Sequence, residues 1–450
     1  MRRLQSLFGN TLYLPVVLAL VMTAVLLAGG QTWAGLGNQE LLSFQSPLST
    51  PRPTPTPTPL PRAKTLKVVA IEPVKNGPYR NILWSPDGKK ALISKQYTQY
   101  LLLPEKDVHA ESLPPGFVPG LYTGLGDLWL LDLTTGKERR LAEKVGRYAW
   151  SPDSTQVAYL APTGAEGIAG ALYVLDIPSG KTKRVAPVDF LGSDYTPQWL
   201  PTGEIVYVRD GRLWSIQATG KQEKALPGFR FYNYRVGVEA GKPGYLDDPD
   251  APVGFHFSPD GKRVAYKTHR QNYRAISYRL WLADADGSNA KLITEQAEGG
   301  YYEWSPDSQW LVFDTFRDVD DPTVDQHDPG LSGLWVVRAD GSDVHPLHRT
   351  DGWRWILSPT WSPDSSMVVF IQAGPFTEEG NNDRELWVAN VLERGTATPL
   401  PGFKQDKGVT RCVWWSPDGR YLFTFSDTLL AEGDRFEYRY ESYRLILATE

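Results

Sequence analysis

Sulfur is almost absent from this chain of 450 residues, with one cysteine and three methionines. A lone Cys412 excludes an internal disulfide framework and any zinc site built on paired cysteines. It stands just before Trp414-Trp415 in an apolar context and reads as a buried structural thiol rather than a nucleophile. Histidine is also scarce, at six residues. No Gly-x-Ser-x-Gly elbow, phosphate-cradling Gly loop or zinc-type Cys/His set occurs, which removes serine hydrolases and nucleotide-binding loops from consideration. A surplus of positive charge is missing too. The formal net charge of −5 leaves no electrostatic footprint for nucleic acid.

What is abundant is tryptophan, with 16 residues, and much of it sits in one short repeated motif. The clear copies are Trp84-Ser85-Pro86-Asp87-Gly88, Trp150-Ser151-Pro152-Asp153-Ser154, Phe257-Ser258-Pro259-Asp260-Gly261, Trp304-Ser305-Pro306-Asp307-Ser308, Trp361-Ser362-Pro363-Asp364-Ser365 and Trp415-Ser416-Pro417-Asp418-Gly419. A degenerate copy, Trp199-Leu200-Pro201-Thr202-Gly203-Glu204, takes the third place. Pro presets a turn corner, Asp hydrogen-bonds its own backbone, and Gly or Ser tolerates the exit geometry. Alternating apolar runs such as Arg263-Val264-Ala265-Tyr266-Lys267 follow the turns and read as strands.

A second signature recurs within each repeat, as in Leu128-Trp129-Leu130-Leu131-Asp132, Leu280-Trp281-Leu282-Ala283-Asp284 and Leu386-Trp387-Val388-Ala389-Asn390. Turn residues follow it, such as Thr134-Thr135-Gly136 and Asp286-Gly287-Ser288, and then a short fourth strand. Each repeat therefore reads as strand A, the Ser-Pro-Asp turn, strand B, a variable loop, strand C, a Gly turn and strand D. The motif starts lie 47 to 66 residues apart, which suits four-stranded blades carrying insertions. The fold class is all-β, a seven-bladed β-propeller of antiparallel blades over 64–450. After its strand C (Leu445-Ile446-Leu447-Ala448-Thr449) the last repeat has no strand D. The extended segment Leu66-Lys67-Val68-Val69-Ala70-Ile71 is expected to supply it and close the ring.

These motifs resemble the PD40 (WD40-like) repeats of TolB-type β-propellers across about residues 64–450. The resemblance implies a role at the cell envelope, although the separate N-terminal domain of TolB has no counterpart here. Prolyl-oligopeptidase relatives join such a propeller to a hydrolase domain, for which no segment of sufficient size remains. Oligogalacturonate lyases are similar propellers that use a metal held by His and Gln. His256, His269, His327, His345 and His348 do not match that pattern residue by residue.

Two segments precede the repeats. Residues 1–34 carry Arg2 and Arg3 and then an apolar run from about Leu12 to Leu27, the grammar of an export segment. It reads either as a cleaved signal peptide or as a membrane anchor with the remainder outside. Residues 35–63 form a Pro/Thr-rich linker in which Thr50-Pro51-Arg52-Pro53-Thr54-Pro55 favours polyproline II. The expected location is extracytoplasmic, with the membrane engaged through the N-terminal segment if it stays.

Insertions point to a functional face. From motif start to strand C takes 14 residues in repeat three but 44 in repeat one and 30 in repeats five and seven. In repeat three an insertion at about 225–253 falls instead between strand D and the next strand A. Alternating strand direction puts all B–C and D–A connections on one face, opposite the tight turns. Aromatic and Arg residues, the usual anchors of interfaces, gather in these connections. The candidates are Tyr97, Tyr100 and Phe117, then Phe231, Tyr232 and Tyr234, then Trp353 and Trp355, and finally Phe436, Tyr438 and Tyr440. The plainer alternative is that they pack the long loops on themselves.

An acidic loop carries Asp318, Asp320, Asp321, Asp325 and Asp328. It reads first as a solvated loop, and as a metal site it would suit Ca²⁺, which collects about six to eight oxygen ligands. No cofactor is otherwise expected. The chain is thus expected to be a non-enzymatic scaffold for an envelope protein or peptide. The alternative is carbohydrate binding, or metal-dependent cleavage of a polysaccharide in the manner of oligogalacturonate lyases.

Overall fold

A computed structural model of the chain describes residues 66–74, 82–100, 124–163, 170–188, 195–230, 252–270, 277–295, 297, 301–315, 333–350, 354–376, 382–403, 409–432 and 435–449. Among them are 28 strands, which form seven four-stranded antiparallel sheets. The first, β1 (Leu66–Pro73), stands alone before the repeats. Blade 1 comprises β2 (Ile82–Trp84), β3 (Lys90–Tyr100), β4 (Gly124–Asp132) and β5 (Glu138–Val145). Blade 2 is β6 (Tyr148–Trp150), β7 (Gln156–Pro162), β8 (Gly170–Asp176) and β9 (Thr182–Val188). Blade 3 is β10 (Gln198–Trp199), β11 (Glu204–Arg209), β12 (Arg212–Gln217) and β13 (Lys224–Arg230). Blade 4 is β14 (Pro252–Phe257), β15 (Arg263–Arg270), β16 (Ser277–Asp284) and β17 (Lys291–Thr294). Blade 5 is β18 (Tyr302–Trp304), β19 (Trp310–Thr315), β20 (Gly333–Arg338) and β21 (His345–Arg349). Blade 6 is β22 (Trp355–Trp361), β23 (Met367–Phe376), β24 (Asn382–Asn390) and β25 (Thr398–Pro399). Blade 7 holds β26 (Val409–Trp415), β27 (Tyr421–Glu432) and β28 (Arg435–Thr449), with β1 as its outer strand. Leu66 pairs with Thr449 and Pro73 with Tyr443, so both ends of the repeat array meet in one sheet, as expected.

The Ser-Pro-Asp motif folds the same way wherever it is complete. In blade 1 the Ser85 hydroxyl donates to Asp87 Oδ1 at 2.6 Å and accepts the Lys90 N–H at 2.9 Å, while Lys89 N–H donates to Asp87 Oδ1 at 3.0 Å. Partial burial opposes ionisation of Asp87, yet the Ser85 hydroxyl and the Lys89 N–H hold its carboxyl below the ordinary carboxylate range. The fifth position of the motif is left-handed in every blade. Gly88, Gly203, Gly261 and Gly419 have φ of 69°, 81°, 72° and 72°, and Ser154, Ser308 and Ser365 have 61°, 62° and 62°. Serine carries a Cβ and is disfavoured there. Each of the three offsets this through its hydroxyl, which accepts an Asp N–H of the preceding blade: Ser154 from Asp87, Ser308 from Asp260 and Ser365 from Asp307, at 3.0–3.1 Å. The choice of Ser or Gly is therefore a choice of whether two blades are latched.

The hydrophobic core is not one body but seven clusters, one in each seam between neighbouring blades. The motif tryptophan faces the preceding blade. Its indole Nε1 donates to the backbone carbonyl just before that blade's own motif: Trp150 to Leu83, Trp199 to Ala149, Trp304 to His256 and Trp361 to Glu303, at 2.9–3.2 Å. Blade 4 has Phe257 at this position, and the clamp is rebuilt from the other side. Gln198 of blade 3 donates Nε2 to Phe255 O at 2.6 Å and accepts the Phe257 N–H at 2.9 Å. The frequency of tryptophan is thus explained by clamping as well as by burial.

Candidate functional site

The face carrying the B–C and D–A connections is not made of loops alone. In blade 7 most of the insertion expected between strands B and C is strand. β27 and β28 pair without interruption from Tyr421–Ile446 to Glu432–Arg435. The reason is legible in the alternation of Arg435-Phe436-Glu437-Tyr438-Arg439-Tyr440, which is strand grammar. The register sets Phe436, Tyr438 and Tyr440 opposite Ala431, Leu429 and Asp427. Alternate positions of a strand share one side of the sheet. In blade 1, Tyr97 and Tyr100 likewise fall on β3 rather than in a loop, beside a register shift between Lys95 and Gln99. Trp355 opens β22 and lies half-buried against the core shared by blades 6 and 7. It is tied into packing. The insertion placed at about 225–253 begins later, because β13 runs to Arg230.

Phe117, Phe231, Tyr232, Tyr234 and Trp353 lie outside the described residues, as do Asp318, Asp320, Asp321, Asp325 and Asp328 and the whole of 1–65. Among the described residues no group of three or more His, Cys, Asp or Glu is placed to hold a metal ion, and no helix is long and apolar enough to cross a membrane.

A second feature lies one residue before each motif. The residue just before the motif aromatic points towards the next blade, as Gln198 does. Around the seven blades this position is Leu83, Ala149, Gln198, His256, Glu303, Thr360 and Trp414. The polar members are consecutive, in blades 3 to 6, and all four are buried. His256 stacks on Tyr302 of blade 5 with ring centroids 4.6 Å apart. Lys267 of β15, only 4% exposed, holds its ammonium 4.9 Å from the Tyr302 ring and 5.3 Å from that of Tyr278. Asp314 at the end of β19 accepts the Tyr301 N–H at 2.9 Å, and its own N–H donates to Tyr301 O at 3.1 Å.

Burial pushes the Asp314 carboxyl up to about 7, against the opposing pull of the Lys267 ammonium and the Tyr301 N–H. Burial also takes the His256 imidazole down to about 3, and Lys267 adds to that shift. Groups displaced in opposite directions mark places able to hold a proton near neutral pH. His256 and Lys267 are enclosed in the seam of blades 4 and 5, and Asp314, buried on β19 beside Tyr301, lies close enough to Lys267 to feel its charge. The sequence signal was available as a run of polar residues at one fixed motif offset.

His345 and His348 do not join this set. His345 is buried on β21, bonded to Val391 O at 3.1 Å and edge-on to Trp310. His348 bonds Gln372 Oε1 and sits 4.5 Å from the Trp387 ring. Burial lowers its imidazole below the ordinary range despite Gln372. Both are held by neighbouring side chains and backbone of blades 5 and 6. Cys412 is fully buried and forms no disulfide.

No protein-family model matches the chain. An uncharacterized protein of Agrobacterium fabrum (strain C58 / ATCC 33970) is 24% identical over 260 residues, 51% of this chain and 82% of that protein. An uncharacterized peptidase of Bacillus subtilis (strain 168), YuxL, is 24% identical over 247 residues, which are 54% of this chain but 30% of the peptidase. Among solved structures, a GH74 enzyme of Niastella koreensis aligns with a TM-score of 0.50 at 10% identity, covering 83% of this chain and 55% of that one. An oligogalacturonate lyase in complex with manganese aligns with a TM-score of 0.48 at 16% identity, covering 82% and 90%. TolB from Acinetobacter baumannii aligns with a TM-score of 0.34 at 14% identity, covering 71% and 59%. The chain is a seven-bladed β-propeller, and TolB-like repeats are consistent with it. At these identities the likeness is one of fold, and a fold of this kind hosts many activities.

Proposed function

We propose that this chain is a non-enzymatic, extracytoplasmic scaffold that binds an envelope protein or peptide on the face carrying its B–C and D–A connections. The observation that carries the reading is the β27–β28 hairpin. It is paired to within two residues of its tip and sets Phe436, Tyr438 and Tyr440 at alternate positions. A paired strand fixes its backbone before a partner arrives, so less backbone entropy is lost on docking. The export grammar of residues 1–34 supports an extracytoplasmic location.

The test compares the full chain with a Phe436→Ala/Tyr438→Ala/Tyr440→Ala variant as bait in a cell-envelope extract, with thermal melting of both. A protein held by the native chain and released by an equally stable variant supports the scaffold. Polysaccharide held in its place moves the reading to carbohydrate binding. A melting temperature lowered by several degrees in the variant assigns the three residues to packing and sinks the reading.

A further inference from the structure

Among the described residues, five large apolar side chains stand in solvent, 36–55% exposed: Val69, Ile71, Leu292, Val344 and Leu392. Aliphatic residues exposed one by one are ordinary, but a connected set marks a contact surface. All five lie on the outer wall of four successive blades. Leu292 is in β17, Val344 stands between β20 and β21, Leu392 between β24 and β25, and Val69 and Ile71 are in β1. Contacts join these places blade by blade. Lys291 Nζ donates to Gly341 O, Arg394 Nη2 to Asp343 Oδ1 at 2.6 Å, Gly395 N–H to Pro346 O at 3.1 Å and Val68 N–H to Pro401 O at 2.8 Å. On the outer wall of blade 1, by contrast, the exposed positions of β5 are all charged: Arg139, Arg140, Glu143 and Lys144.

The set is centred on the seam of blades 5 and 6. The corner on each side of that seam exposes one aliphatic residue, one acid and one arginine. In blade 5 they are Val344, Asp340 and Arg338, and in blade 6 Leu392, Glu393 and Arg394. Leu292 flanks the first corner in blade 4, and Val69 and Ile71 flank the second in blade 7. A lipid surface favours cations around an apolar patch, whereas here acids and arginines stand together. A contact between identical copies needs matching groups on both sides of one line, so that each half of the patch meets the other half on its partner.

We propose that this wall is a self-association surface, on which two copies of the chain meet about a two-fold axis at the seam of blades 5 and 6. Blade 5 of each copy then faces blade 6 of the other. Val344 of one copy meets Leu392 of the other, while Arg338 and Arg394 approach the opposing Glu393 and Asp340. Both corners belong to the side of the tight turns, so the contact leaves the face carrying the B–C and D–A connections outside it in both copies. The outer wall of a ring is convex, which keeps the contact narrow and the expected affinity micromolar rather than nanomolar.

The experiment is sedimentation velocity of the full chain over a range of concentrations, in detergent that covers the apolar run from about Leu12 to Leu27. Val344→Glu and Leu392→Arg are each expected to weaken association at least about tenfold, because a charge then faces an aliphatic side chain across the contact. Both positions are exposed, so each variant is expected to melt as the native chain does. Mixed one to one, the two variants are expected to associate about as tightly as the native chain, since the two introduced charges then face each other. A native chain that is monomeric at every concentration overturns the proposal. Single variants that associate like the native chain also overturn it, and assign the contact to residues 1–34 or to another face. A mixture that stays monomeric overturns it as well.

Discussion

At the scale of single residues, the fifth motif position shows how one atom decides a blade contact. Ser308 holds a left-handed φ of 62° and accepts the Asp260 N–H. Ser308→Ala keeps the disfavoured backbone and loses the bond, and it is expected to cost about 1 kcal/mol in denaturant unfolding. Ser308→Gly loses the same bond but relieves about 1 kcal/mol of backbone strain, so it should unfold close to the native midpoint. If alanine and glycine are equally destabilising, the latch account is wrong.

Asp314 supplies a pH signature. Its carboxyl binds a proton more tightly folded, at about 7, than at the ordinary 3.8. The stability it contributes is therefore fully present below about pH 4 and is lost as pH rises through 7. His256 acts in the other sense. Its folded value of about 3 lies below the ordinary 6.5, so its contribution is present above 6.5 and lost as pH falls towards 3. The two oppose each other between pH 4 and 6.5, and the native curve alone hides both. Asp314→Asn removes the first. Relative to that variant the native chain should lose about 2–4 kcal/mol between pH 4 and 8. Thermal melts of both proteins across that range provide the check, and a constant difference rejects the assignment.

At the scale of elements, strand A is clamped by one indole or one amide in the five seams from 1/2 to 5/6. Trp304→Phe mimics the natural Phe257 but leaves His256 O without its donor. A loss of about 1–3 kcal/mol is expected. Gln198→Leu strands two backbone groups at once, Phe255 O and Phe257 N, and should cost about twice as much in the same denaturation assay. The β27–β28 hairpin makes the complementary point. Insertion length located it, but length does not distinguish a loop from two extended strands. The alternation around Phe436 carried that distinction.

At the scale of the whole molecule, no blade has a core of its own among the described residues. Each buries its two faces against two neighbours, so stability belongs to the closed ring. β1 completes the seventh blade through Leu66 and Val68, which are buried among Val413, Trp415 and Leu445. Val68→Asp places a carboxylate in that cluster at a cost of several kcal/mol. Loss of the single cooperative melting transition is the expected result, and a native-like melt would show that β1 is dispensable.

Much of this architecture could be read directly. Seven motif copies, the Leu-Trp strands, the Gly turns and the orphaned segment at Leu66 specify the blade count, strand order and closing strand, because turn chemistry and strand alternation act within a few residues. The burial of Cys412 followed from the same local reading. What lay beyond it depends on contacts roughly one repeat apart. Those contacts decide that Gln198 replaces a tryptophan 59 residues later, that Ser154 latches Asp87, that Lys267 lies between two tyrosine rings, and that Trp84 finds no acceptor. Local propensity cannot express them, since each exists only when two blades are brought face to face.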